Sequence, residues 1–143
     1  MTPLPDIRQA VPFLWVHDIR QSLTFYVDGL GFSIAKQWLD DAQVRWCWLE
    51  LGGAALMLQE FWTEGRHRNL PSAKVGVGVA INFMCLDAVL VWRELTSRGF
   101  TMTRPSVGNG MWVTETFDPD GYQLFFESPT DAAEGSTYQD ERP

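Results

Sequence analysis

The sequence predicts an α+β fold: two βαβββ modules in tandem, forming an eight-stranded, incompletely closed sheet with the helices outside. Three observations predict it. First, the chain repeats itself: Phe13-Leu14-Trp15-Val16-His17-Asp18 opens a helix-like run that stops at Leu30-Gly31-Phe32, and Asn82-Phe83-Met84-Cys85-Leu86-Asp87 opens another that stops at Arg98-Gly99-Phe100. Second, each repeat closes with a turn and an apolar strand, Gly52-Gly53 into 54–59 and Asp118-Pro119-Asp120-Gly121 into 122–127. Third, the strands alternate, as strands buried on one face must.

Taken in order, residues 1–9 read as a polar arm and 10–16 as a strand. Asp18 can cap a helix to about Asp28, because its carboxylate can accept the orphan N–H groups of the first turn. Gly29 and Gly31 end it. Strands follow at 32–38 and 43–51, with Asp40-Asp41 in the turn between them, and the Gly52-Gly53 hairpin leads into strand 54–60. Residues 61–76 are polar and irregular and read as a linker between module one (about 9–60) and module two (about 77–128). The second module runs strand 77–85, cap Asp87, helix 88–98, stop Gly99, strand 100–104, loop 105–110, strand 111–117, turn 118–121 and strand 122–127. Pro119 and Gly121 suit a tight turn. The acidic segment 129–143 reads as a loosely held tail of a single domain.

The 143 residues, 45% of them hydrophobic, can build one sizeable core. No apolar run approaches the ~20 residues of a membrane helix, and Met1-Thr2-Pro3-Leu4-Pro5-Asp6 lacks the pattern of a signal peptide. A cytoplasmic protein without membrane or nucleic-acid partners is expected, because a net charge of −7 opposes binding to phosphate backbones. The same charge favours a cationic ligand. Cys47 and Cys85 sit in apolar runs and read as small buried residues rather than as a disulfide or half of a zinc site.

Phe25-Tyr26 followed by Leu30-Gly31-Phe32, the Asp118-Pro119-Asp120-Gly121-Tyr122 turn and the paired βαβββ order resemble the vicinal oxygen chelate superfamily, which includes glyoxalases, extradiol dioxygenases, and fosfomycin- and bleomycin-resistance proteins. The resemblance covers about residues 9–128. It implies that a metal-dependent member would place donors on the first and last strands of each module, at Val11, Met57, Ala80 and Phe125 here. A divalent ion needs nitrogen or oxygen donors, usually three or more from protein. Val, Ala and Phe offer none, and a thioether suits only soft metals. A slip of one residue brings only Pro12, Leu56 or Leu58, Val79 or Ile81, and Leu124 or Phe126. No metal and no cofactor is therefore expected. The Ala10-Val11-Pro12 opening, the acidic balance and the aromatic cleft look like the metal-free bleomycin-resistance branch, and the resemblance implies a homodimer.

Alternation assigns the faces. The expected cleft lining is Val11, Phe13 and Trp15; Ala55, Met57 and Gln59; Ala80, Asn82 and Met84; Gln123, Phe125 and Glu127. The opposite face, Leu14, Val16, Leu56, Leu58, Ile81, Phe83, Cys85, Leu124 and Phe126, is the one to bury under helices. On the third strand of each module, Trp46, Trp48 and Glu50, with Trp112, Thr114 and Thr116, are assigned to the cleft, which puts Glu115 on the core side. Phe13, Trp15, Trp46, Trp48, Met57, Met84, Trp112 and Phe125 are then the apolar ligand contacts, Gln59 and Asn82 orient a ligand, and Glu127 meets a cation. His17 is expected to point to water, and His67 lies in the linker without an evident partner. The function expected is sequestration of a hydrophobic, aromatic or cationic small molecule. The alternatives are a lyase, isomerase or dioxygenase drawing metal ligands from Glu127, Glu60, His67 or Gln59, and an interaction module whose cleft has closed.

Overall fold

The computed structural model describes residues 1–139. It contains two four-stranded mixed sheets. In the first module β1 (Phe13–Val16) is followed by α1 (Ile19–Leu23), a π-helical stretch (Thr24–Gly29), β2 (Ser33–Asp40), β3 (Gln43–Leu51) and β4 (Ala54–Glu60). In the second, β5 (Ala80–Met84) is followed by α2 (Ala88–Ser97), β6 (Ser106–Gly108), β7 (Met111–Phe117) and β8 (Gln123–Pro129). The strand orders, β1-β4-β3-β2 and β5-β8-β7-β6, are the same arrangement twice. β1 and β5 each run parallel to the last strand of their own module. Among the described residues no helix is long and apolar enough to cross a membrane.

Both caps form as the sequence indicates. The Asp18 carboxylate accepts from the N–H groups of Arg20 (3.0 Å) and Gln21 (3.3 Å), and that of Asp87 from Leu90 (3.0 Å), each a contribution of about 1 kcal/mol. The first helix widens into a π turn because Asp18 to Gly31 spans one residue more than Asp87 to Gly99. A π turn absorbs a single inserted residue without ending the helix. It keeps Tyr26 fully buried while Phe25 packs edge-on against Phe100, 5.2 Å away.

One core serves both modules: Leu14, Val16, Leu56 and Leu58 from the first and Ile81, Leu124 and Phe126 from the second all lie beneath the helices. This is the face that alternation assigns to burial.

Three elements depart from the sequence reading. Residues 100–104 are not a strand; the place of the second strand of the second module is taken by β6, inside the segment expected to be a loop. Pro105 has no N–H to give a ladder, and residues 101–103 are held instead by threonines: Thr114 Oγ1 donates to the Thr103 carbonyl (2.6 Å) and Thr116 Oγ1 to that of Thr101 (2.9 Å). The first and fifth strands begin later than expected, at Phe13 and Ala80. The segment after β8 is not loose: Gly135 and Ser136 exchange hydrogen bonds with Val107 (2.9 Å each), and the Tyr138 ring packs against Trp92 and Trp112. This cover removes an exposed strand edge at β6. The rest of the acidic tail, 140–143, lies outside the described residues.

The modules are joined at the Asp118–Gly121 turn. The Tyr26 hydroxyl donates to Asp118 Oδ2 (2.7 Å), while Asp118 Oδ1 accepts the N–H groups of Asp120 and Tyr122 (2.9 Å each). Tyr122 donates its hydroxyl to the Trp15 carbonyl (2.8 Å). His17 does not face water alone, as the sequence suggests, but pairs through Nδ1 with Asp120 Oδ1 at 2.6 Å. Burial pushes the Asp118 carboxyl upward, against the pull of the hydrogen bonds it accepts, and burial followed by the Asp118 charge pushes the Tyr26 phenol well above its ordinary value. The linker seals this turn: a side chain at Gly76 would meet the Gly121 carbonyl oxygen at 2.8 Å, so only glycine fits.

Candidate functional site

The face of the first sheet that turns away from the helices is a lattice of aromatic rows, fixed by strand register. Phe13, Met57, Trp48 and Lys36 lie side by side across the four strands, and Trp15, Gln59, Trp46 and Trp38 form the next row. Residues directly paired across strands project to the same face. Phe13 and Trp15 touch at 5.3 Å between ring centroids, and Trp15 stacks on Phe61 at 5.6 Å. The rows are only partly covered; Phe13 and Trp38 are 42% and 48% exposed. Trp48 donates from Nε1 to Glu50 Oε1 (3.0 Å), which fixes the indole edge, and the Lys36 ammonium stands over its ring, 5.5 Å from the centroid.

The corresponding face of the second sheet is built differently. Its rows are Asn82, Phe125 and Glu115, then Met84, Glu127 and Val113. Asn82 Nδ2 donates to Glu127 Oε1 (3.2 Å) and Gln123 Nε2 to Glu115 Oε2 (2.9 Å). One sheet thus offers rings, and the other amides and carboxylates about one ring.

Of the residues expected to line the cleft, Phe13, Trp15, Trp46, Trp48, Met57 and Gln59 share the first face, and Asn82, Met84, Phe125 and Glu127 the second. Trp112 shares neither. Register pairs Trp112 with Ser128, Thr114 with Phe126 and Thr116 with Leu124, so all three point to the helix side. Thr114 and Thr116 are buried there because their hydroxyls are satisfied by backbone carbonyls, and Glu115 takes the open face in their place. Trp112 packs on Tyr138 at 5.6 Å.

The two modules meet along a cavity of about 860 Å³ that takes Phe13, Leu14 and Ala55 from one side and Ala80, Asn82 and Tyr122 from the other. This is the size of a site for a drug-sized molecule. The tryptophans lie outside it, on the broad first face.

The four positions implied for metal donors are structurally equivalent in pairs. Met57 is in register with Phe13, and Phe125 with Asn82; Ala80 opens β5 and Val11 precedes β1. Carbon and one thioether sulfur do not fit a divalent cation. The donors proposed from elsewhere are engaged and apart: Glu60 accepts from Arg45 (3.0 Å) and from the Ile19 N–H (3.0 Å), Glu127 from Asn82, and His67 Nε2 from Arg66 Nε (3.2 Å). Among the described residues no three His, Cys, Asp or Glu side chains come together in a metal-binding group.

Residues 7–126 match the family described as the glyoxalase/bleomycin resistance protein/dioxygenase superfamily. Three solved structures share the fold. TnmS3, an antibiotic binding protein from Streptomyces sp. CB03234, is 18% identical, with a TM-score of 0.62 over 87% of this chain and 98% of that one. A glyoxalase/bleomycin resistance protein/dioxygenase from Nocardioides is 15% identical, with a TM-score of 0.67 over 92% and 91%. A glyoxalase family protein from Enterococcus faecalis is 20% identical, with a TM-score of 0.65 over 87% and 99%. No curated protein matches the sequence. At these identities the likeness is one of fold.

Proposed function

The chain belongs to the glyoxalase/bleomycin resistance protein/dioxygenase superfamily, and from that premise we propose that it is a metal-free protein that binds and sequesters a hydrophobic, aromatic small molecule. The observation that carries this reading is the exchange at equivalent places in the two sheets: the positions that would hold an ion carry Val11, Met57, Ala80 and Phe125, while the strands around them carry Phe13, Trp15, Trp46 and Trp48. Carbon and one thioether at those positions cannot hold an ion that would activate water or polarise a carbonyl. The face has large, partly exposed rings, and stacking on each adds about 0.5–1.5 kcal/mol beyond burial. The likeness to TnmS3, described as an antibiotic binding protein, supports the same reading.

The ring-bearing and amide-bearing faces belong to different sheets of one chain, so a ligand on the tryptophans is open to solvent on its other side. We propose a homodimer in which a second copy covers it. Light scattering would then give about twice the chain mass of 16.3 kDa.

Purification without chelators, metal analysis and a tryptophan-fluorescence titration with polycyclic aromatic compounds test the reading together. The expected result is quenching that saturates, unchanged by chelation, with no stoichiometric divalent metal. A stoichiometric metal whose removal abolishes turnover would instead establish the enzyme reading. Failure of every aromatic compound to quench would support a closed interaction module.

A further inference from the structure

The aromatic face of the first module has a charged border, and its sign is opposite to that of the chain. The row Phe13-Met57-Trp48 ends on β2 in Lys36, 5.5 Å from the Trp48 ring. The row Trp15-Gln59-Trp46 ends on β2 in Trp38, and from there it continues onto the linker. Trp38 lies 6.4 Å from Trp62, Trp62 lies 6.0 Å from His67, and His67 Nε2 accepts from Arg66 Nε at 3.2 Å. The first row therefore ends beside a cation on β2, and the second leads through the linker rings to Arg66.

The linker holds this end in place. Trp62 and Asn69 exchange hydrogen bonds (2.8 and 3.0 Å), Arg68 Nε donates to the Thr63 carbonyl (3.1 Å), and the Arg45 guanidinium lies 3.8 Å from the Trp62 ring. Arg45 is itself fixed by Glu60. In a chain of net charge −7, segment 61–76 is the positive one: Arg66, Arg68 and Lys74 stand against Glu64 alone. Among the described residues neither Lys36 nor Arg66 forms an ion pair. Glu50 stands one row away, between Ser33 and Ala55, where its carboxylate accepts from the Trp48 Nε1–H, and Asp40 lies past the last aromatic row. The acids that favour a cation, Glu115 and Glu127, belong to the other sheet.

We infer that the tryptophan face selects an aromatic anion: a flat ring system lying against Trp46 and Trp48, with a carboxylate or comparable group directed to Lys36, and Arg66 adding positive charge at the end of the second row. This rests on the reading of that face as the ligand site, and it reverses the preference that net charge alone suggests. The His67 ring assists by accepting from Arg66 Nε at the end of the row.

Three probes of one shape separate the possibilities: 2-naphthoate, its neutral carboxamide, and 2-naphthylmethylammonium, each titrated against intrinsic tryptophan fluorescence at low and high salt. The expected result is that 2-naphthoate binds about fivefold or more tighter than the carboxamide, with the margin shrinking in salt, as for a solvent-accessible ion pair. The variant Lys36→Gln/Arg66→Gln should abolish the margin between 2-naphthoate and the carboxamide. Trp48→Ala should weaken all three. Equal binding of the three probes, or preference for the ammonium, would overturn the anion inference and leave the aromatic site standing. No binding by any of them would overturn both.

Discussion

Replacing Tyr26 by Phe tests the joint between the modules with the smallest available change. The substitution removes one oxygen from a residue with no exposed surface and leaves the ring to pack as before, so the cavity created is close to zero. What is lost is the hydroxyl that donates to Asp118 Oδ2 at 2.7 Å. Asp118 is 5% exposed and cannot replace that donor with water without opening the joint. A hydrogen bond to a charged group contributes roughly 1.5–3 kcal/mol, and stranding its acceptor falls in the same range, so a loss of about 2 kcal/mol is expected at pH 7. The pH dependence follows from the carboxyl. Burial raises the folded-state pKa of Asp118 above its ordinary value, and the Tyr26 hydrogen bond holds that rise in check. A carboxyl raised in this way favours folding when protonated and loses that advantage as pH climbs through its folded-state value. Without the hydroxyl the rise is greater, so the variant loses more stability than the parent as pH increases. Urea unfolding at pH 7, 6 and 5 should therefore show a gap that narrows toward the acid end. A gap under about 0.5 kcal/mol at pH 7, or one that widens as pH falls, would refute the role given to this pair.

Gly76→Ala should cost well over the ~1 kcal/mol of an ordinary glycine replacement, since it adds a backbone clash with Gly121 to a φ of 82°; Gly31→Ala, with a φ of 96° but open space, is the milder control in thermal melts. Cys47 is fully buried and its thiol is raised to about 11, whereas Cys85 is half-buried, so a thiol reagent at pH 8 should label Cys85 in the native protein and Cys47 only on unfolding. Tyr138→Ala removes the ring between Trp92 and Trp112 and loosens the segment over the β6 edge; concentration-dependent self-association should rise while the far-ultraviolet spectrum stays near native.

The faces of β1, β4, β5 and β8 were legible because burial on one side forces a period of two, and Leu14, Val16, Leu56 and Leu58 obey it without exception. On β7 the same logic misled. Thr114 and Thr116 look like cleft residues by polarity, yet each hydroxyl finds a carbonyl beneath the sheet, so burial costs little. Those carbonyls lie on a segment that skips the ladder, and nothing in the local sequence announces them. The pairing of His17 with Asp120 was equally hidden, since it joins residues far apart in the chain. The π turn had left a signal: the extra residue between cap and glycine in the first module. The border of Lys36 and Arg66 was invisible for another reason. Net charge averages over the chain, whereas a ligand meets only the charges beside it.

The joint has one further consequence. The phenol sits in the first half and its acidic turn in the second, with Leu95 and Gly52-Gly53 at the corresponding places. A duplicated gene would begin with interchangeable halves, but here key and keyhole have been dealt to different hands. Cut within the linker and mixed, the two fragments should seek each other and refuse their own kind.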